Sequence, residues 1–115
     1  MQNYHGTCHC GTVKFRIETL LEETARCDCS LCRRRCAIMH YVPVERFEIL
    51  EGEDSLTLYQ WHTETAEHFF CKTCGIYPFH KPRTRPGFMG INVGCLEGVD
   101  VYAFEPLRLD GVVMD

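Results

Sequence analysis

No segment of this chain approaches the roughly 20 consecutive apolar residues that a membrane helix needs, although 45% of its residues are hydrophobic. That combination is typical of a soluble globular protein. Positive charge is scarce as well. Lys and Arg number 12 against 16 Asp and Glu, for a net charge of −4, and the one compact basic run is Arg33, Arg34 and Arg35. Generic nucleic-acid binding, which relies on clustered cations to neutralise phosphates, is therefore disfavoured. The opening MQNYHGTCHCG lacks the basic stretch followed by an apolar one that marks a secretory leader, so the expected compartment is the reducing cytoplasm. There is no fixed-period repeat and no low-complexity linker, and the length suits one domain over residues 1–115.

A helical stripe of helix length is missing too. What recurs instead is short runs of β-branched and aromatic residues: TVKFRIE (12–18), AIMHYV (37–42), FEIL (47–50), SLTLYQW (55–61), AEHFF (66–70) and FMGINV (88–93). In the first of these Val13, Phe15 and Ile17 share one face. Turn-forming stretches, EGEDS and KPRTRPG, separate the runs. The expected fold class is mainly β, built from short antiparallel strands.

Cysteine is the surplus: the chain has nine. In a reducing compartment thiols do not persist as disulfides, and an odd number cannot pair completely within one chain, so metal ligation is the better reading. Cys8 and Cys10 in TCHCGTV and Cys71 and Cys74 in FFCKTCGIY lie about sixty residues apart. Together they form a C-x-C and C-x-x-C set that can deliver four thiolates to one tetrahedral zinc. Gly11 and Gly75 follow the two pairs, where tight turns can aim backbone N–H groups at sulfur. The remaining cluster, CDCSLC, contributes three thiolates, Cys27, Cys29 and Cys32. Three protein ligands are the mark of an open metal site that admits water or substrate. The alternative is a closed structural site with Cys36 as fourth ligand. His9, His40, His62, His68 and Cys95 are further candidates, although a lone His or Cys is more often a packed residue.

These motifs resemble the family of glutathione-dependent formaldehyde-activating enzymes, whose domain also occurs in centromere protein V. The matching segments are CHCGTVKF (8–15), CDCSLCRR (27–34), CKTCGIY (71–77), GINVGCLEG (90–98) and LDG (109–111). The resemblance implies an Mss4-like assembly of folded antiparallel sheets, a β-tent, with two zinc ions. Cys8, Cys10, Cys71 and Cys74 would hold the structural ion, and Cys27, Cys29 and Cys32 the ion beside the active site. It further implies a carbon–sulfur lyase acting on a thiol such as glutathione and a small aldehyde such as formaldehyde. The chain departs from the family at Cys36, where a small residue such as glycine often follows the CRR segment.

With such chemistry, Arg33 and Arg34 are the expected partners for the carboxylates of a glutathione-like ligand, through paired N–H donors. Tyr41, His62 and His80 are candidate proton donors. Trp61, Phe69, Phe70, Tyr77 and Phe79 are read first as core aromatics and second as pocket walls. Two other functions stay open: a non-enzymatic zinc module that binds a protein partner or chromatin, marked by closure through Cys36 together with an exposed apolar or basic patch, and a redox-sensing or metal-storage protein resting on Cys36 and Cys95.

Overall fold

The computed structural model describes residues 1–109, so Asp110 and Gly111 of the LDG segment lie outside the described residues. In chain order the elements are β1 (Gln2–Thr7), β2 (Lys14–Thr19), β3 (Ala25–Cys27), α1 (Ser30–Arg35), β4 (Met39–Pro43), β5 (Phe47–Glu51), β6 (Leu56–Tyr59), β7 (Glu67–Cys71), β8 (Phe79–Lys81), β9 (Phe88–Asn92) and β10 (Leu107–Leu109). They form two sheets. One has the order β1-β2-β5, and the other the order β10-β3-β4-β9-β8-β7-β6. No helix among the described residues is long and apolar enough to cross a membrane.

Strand alternation decides what each sheet face carries. Residues paired directly across neighbouring strands share a face, and Phe69, Phe79 and Ile91 form one such row over β7, β8 and β9. From the smaller sheet Phe15 and Phe47 meet this row. Phe79 packs edge-on against both, with ring centroids 5.3 Å from Phe15 and 4.8 Å from Phe47. Phe15, Ile17, Val42, Phe79 and Ile91 are sealed from solvent and make the core between the sheets. Burying such side chains stabilises by roughly 1.5–3 kcal/mol each.

The opposite face of the larger sheet carries a different row: His68 on β7, His80 on β8, Gly90 on β9 and Tyr41 on β4, each the register partner of the next. Gly90 is required there. A Cβ at that position would collide with His80 Cε1, so only glycine leaves room for the ring where it stands. The Tyr41 and His80 rings then meet edge to face across it, 6.2 Å apart.

The six runs expected to be strands correspond to β2, β4, β5, β6, β7 and β9. Three of the other strands are only three residues long, and β1 (QNYHGT) is mostly exposed and polar. Neither case leaves a periodic pattern to read. The pairing also departs from uniformly antiparallel, because β10 runs parallel to β3 and sets Leu109 opposite Cys27. A short helix is present where none was expected. α1 has six residues and buries none of them, so it carries no apolar stripe.

Candidate metal centres and active site

The two Cys pairs of the first group occupy matching turns. Cys8 N–H donates to Val13 O and Cys71 N–H donates to Ile76 O, which folds each pair back over its own strand end. Gly11 and Gly75 take positive φ in these reversals, 83° and 78°. The N–H that reaches sulfur on the N-terminal side is that of Val13, 3.3 Å from Cys8 Sγ. The sulfurs of Cys8, Cys10, Cys71 and Cys74 all lie within 4.8 Å of one another. Two of the edges, Cys8 to Cys10 and Cys10 to Cys71, are each 3.7 Å. A tetrahedron of sulfurs about 2.3 Å from a central zinc has edges of about 3.8 Å, so the quartet fits the ion in donor chemistry and in spacing. It ties the β1–β2 turn to the end of β7. Burial pushes the Cys8 thiol up, whereas the Ile76 N–H holds Cys74 down at about 6.

The second group is assembled by three consecutive pieces of structure. Cys27 ends β3, Cys29 is the N-cap of α1, and Cys32 lies in the helix. The Cys29 sulfur accepts the Cys32 N–H at 3.3 Å, taking the place of the hydroxyl or carboxylate that usually caps a helix. The Cys29 N–H approaches Cys27 Sγ at 3.5 Å. These three sulfurs also lie within 4.8 Å of one another. The Cys27 and Cys32 thiols act on each other, which pushes Cys32 up and holds Cys27 down at about 6, and a bound cation would favour both as thiolates. The trio thus fits a thiolate-binding cation with three protein ligands.

Cys36 stays outside this group. Its Sγ donates to Arg33 O at 3.2 Å, and its backbone caps α1 in the left-handed region at φ 54°. Glycine is the residue best suited to that conformation, which gives a physical reason for a small residue after the CRR segment. Cys95 is buried against Tyr77 O, and burial pushes its thiol up to about 12. His40 is satisfied by Thr19 Oγ1 and Glu23 O, and His9 is exposed.

The trio forms the floor of a cavity of about 70 Å³ that also reaches Tyr41, Trp61, His62, His68, His80 and Arg83. All three residues singled out as proton donors, Tyr41, His62 and His80, are therefore at this site, and Trp61 is a pocket wall instead of a core residue. Cys27 and Cys32 also border a second, larger groove of about 580 Å³ on the helix side, with Arg26, Arg33, Phe104 and Arg108. Arg108 is paired with Asp28 at 2.8 Å, and Arg26 donates to Cys36 O. The Arg33 guanidinium has no protein partner among the described residues. Arg34 donates to Ser30 O at 2.7 Å and faces solvent.

Arg35 is the arginine that touches the trio. Its Nη2 donates to Cys32 Sγ at 3.3 Å, its Nη1 donates to His68 Nδ1 at 3.0 Å, and its guanidinium lies 3.7 Å over the Tyr77 ring. Its Nε is buried without a partner, the one such side-chain atom among the described residues. Alternation along a strand would have put Arg33 and Arg35 on one face. On the helix, each of the three arginines points a different way. Burial, reinforced by Arg35, holds His68 down at about 4, and burial holds His80 well below its ordinary value. His68 and Arg35 were not distinguishable in the sequence from a packed histidine and a solvated charge.

A model of the glutathione-dependent formaldehyde-activating enzyme family matches residues 3–107. The chain belongs to that family. It shares the family's Mss4-like, mainly β fold. A solved structure of a Rhodobacter sphaeroides protein is 45% identical, superposes with a TM-score of 0.84, and covers 90% of this chain and 97% of its own. The family match spans both cysteine groups and the residues that line the pocket beside the trio.

Proposed function

We propose that this family member is a zinc-dependent carbon–sulfur lyase that forms and cleaves an S-hydroxymethyl adduct between a glutathione-like thiol and formaldehyde or a similarly small aldehyde. The observation that carries the reading is the trio of thiols at the floor of a pocket with Cys36 turned away from it. A closed zinc module needs a fourth ligand at that place, a sulfur or an imidazole nitrogen, and among the described residues no further Cys or His joins the group. The proposal takes the chain as one cytoplasmic domain with two zinc ions, one structural and one beside the pocket.

The two cavities suit two reactants. About 70 Å³, at roughly 10–15 Å³ per water-sized group, admits an aldehyde of a few heavy atoms. The groove of about 580 Å³ is in the range of sites for larger ligands, and the unpartnered Arg33 offers the planar fork that binds carboxylate. Arg33 is better placed for that task than Arg34. Zinc held by the trio supplies an incoming thiol kept as thiolate at neutral pH. The thiol proton leaves to solvent, and the sulfur lone pair forms the C–S bond as the carbonyl π pair moves to oxygen. A proton from water then completes the hydroxymethyl group, and cleavage is the reverse. Arg33 orients the thiol, while Tyr41 and Trp61 wall the pocket. The Arg35 N–H bond to Cys32 draws charge off a ligand set that is otherwise rich in electrons.

The test is exchange spectroscopy by NMR on glutathione and formaldehyde with zinc-loaded protein. Adduct exchange should rise in proportion to enzyme concentration. A rate equal to that without protein removes the reading for these substrates.

A further inference from the structure

We propose that His68 and His80 act as a pair of N–H donors that bind the oxygen of a small carbonyl compound, or of its hydrate, in the cavity above the trio. The proposal rests on the lyase reading for its part in turnover, but the binding site stands on geometry of its own. The two histidines are register partners on β7 and β8, and their imidazoles stack at 5.1 Å with 22° between planes. Both line the same cavity as Cys27, Cys29 and Cys32.

The rings are engaged from behind by different groups. A guanidinium can only donate, so the bond from Arg35 Nη1 makes His68 Nδ1 an acceptor and puts the proton of the neutral ring on Nε2. The Tyr77 hydroxyl lies against His80 Nδ1, closer than to Met39 Sδ at 3.4 Å, and burial keeps that phenol protonated. An imidazole nitrogen is a stronger acceptor than a thioether, so we assign the one phenol proton to Nδ1 and the His80 ring proton to Nε2. Neither Nε2 has a protein partner among the described residues, yet neither is among the buried unsatisfied atoms, so both are reached from the cavity. Two N–H groups on stacked rings that line one small cavity, with no acceptor of the protein's own among the described residues, call for an oxygen ligand. Gly90 holds the arrangement open, since any Cβ there would displace the His80 ring.

Because burial keeps both imidazoles neutral, the pair stabilises negative charge on the oxygen by hydrogen bonding and does not supply the proton. Donors held in place before charge develops act without reorganising at the moment of reaction. Neither ring is a metal ligand in this assignment. The metal-ligand role weighed for His68 is replaced by a donor role in the same pocket.

Formate is a suitable probe, because its two oxygens can accept from both rings. Zinc-loaded full-length protein labelled with ¹⁵N at histidine is examined at neutral pH by long-range ¹H–¹⁵N correlation and titrated with formate. The expected result is a proton on Nε2 of both rings, with both Nε2 signals moving together as formate is added. His68→Leu should weaken formate binding about tenfold, and His68→Gln, whose amide returns an N–H near the Nε2 position, should restore it. In adduct exchange, His68→Leu should lower turnover by about 100-fold, with zinc content and glutathione affinity unchanged. A proton on Nδ1 of either ring in the unaltered protein, or equal formate affinity in the Leu variant, overturns the proposal. If the unaltered protein shows no turnover, the lyase reading falls, and the formate titration still decides the donor pair.

Discussion

Arg35→Met is the perturbation that best isolates the electrostatics of the second cysteine group. The guanidinium donates to Cys32 Sγ at 3.3 Å. A zinc ion with three thiolates carries a net charge of −1, shared among three sulfurs. At an effective dielectric of about 20, a full unit charge at that distance would interact with the cation by about 5 kcal/mol. A one-third share leaves about 1.7 kcal/mol, or roughly twentyfold in zinc affinity, within the ten- to hundredfold typical of partners that bond to metal ligands. The assay is chelator competition with zinc counted as it leaves each site. The quartet serves as internal control, because Arg35 makes no bond to Cys8, Cys10, Cys71 or Cys74. The second ion should leave about twentyfold more readily, and the first as before. Arg35→Lys, which keeps the charge but cannot serve Cys32 and His68 at once, should fall between. Affinity at the second site within threefold of the unaltered protein would refute the reasoning, and an equal loss at both sites would show general unfolding instead.

Three further outcomes are expected. Cys36→Gly should raise stability by about 1 kcal/mol, because it relieves a left-handed conformation in a non-glycine residue, and should leave two zinc ions bound; thermal denaturation with a zinc count checks both. Gly90→Ala should destabilise by about 1–3 kcal/mol through the forced shift of His80, visible as a lower Tm and a changed His80 imidazole signal. His68 titrates near 6.5 when unfolded and near 4 when folded, so between those values the unfolded chain binds more protons. Its contribution is therefore present above about pH 6.5 and lost as pH falls towards 4, on the order of 2 kcal/mol. The stability difference between the unaltered protein and His68→Gln, followed by urea denaturation from pH 7 to pH 4.5, should shrink accordingly.

Much of the sulfur clustering was legible in one dimension, because short spacings bring thiols close. C-x-C and C-x-x-C pairs need only a turn each to converge, and both turns contain the expected glycine at positive φ. CDCSLC was similarly legible as a group of three. Six of the seven strands longer than three residues announced themselves through β-branched and aromatic residues; β1, mostly exposed and polar, did not. The short elements did not: α1 is held by a sulfur cap and has no apolar face, and β10 finds its parallel partner some eighty residues away.

The amino-acid order by itself thus determined which sulfurs cluster, that the fold is mainly β, and the family. Only the tertiary structure decided what surrounds the trio. His68, His80, Gly90 and Tyr41 come from four strands and share one face solely through cross-strand register. Arg35, and not its neighbours, reaches the sulfurs because a six-residue helix turns each side chain by about 100° from the last. Register and helical phase are products of long-range pairing and of a cap. No local spacing encodes them, which is why the clustering of the sulfurs could be read from the chain and the groups around them could not.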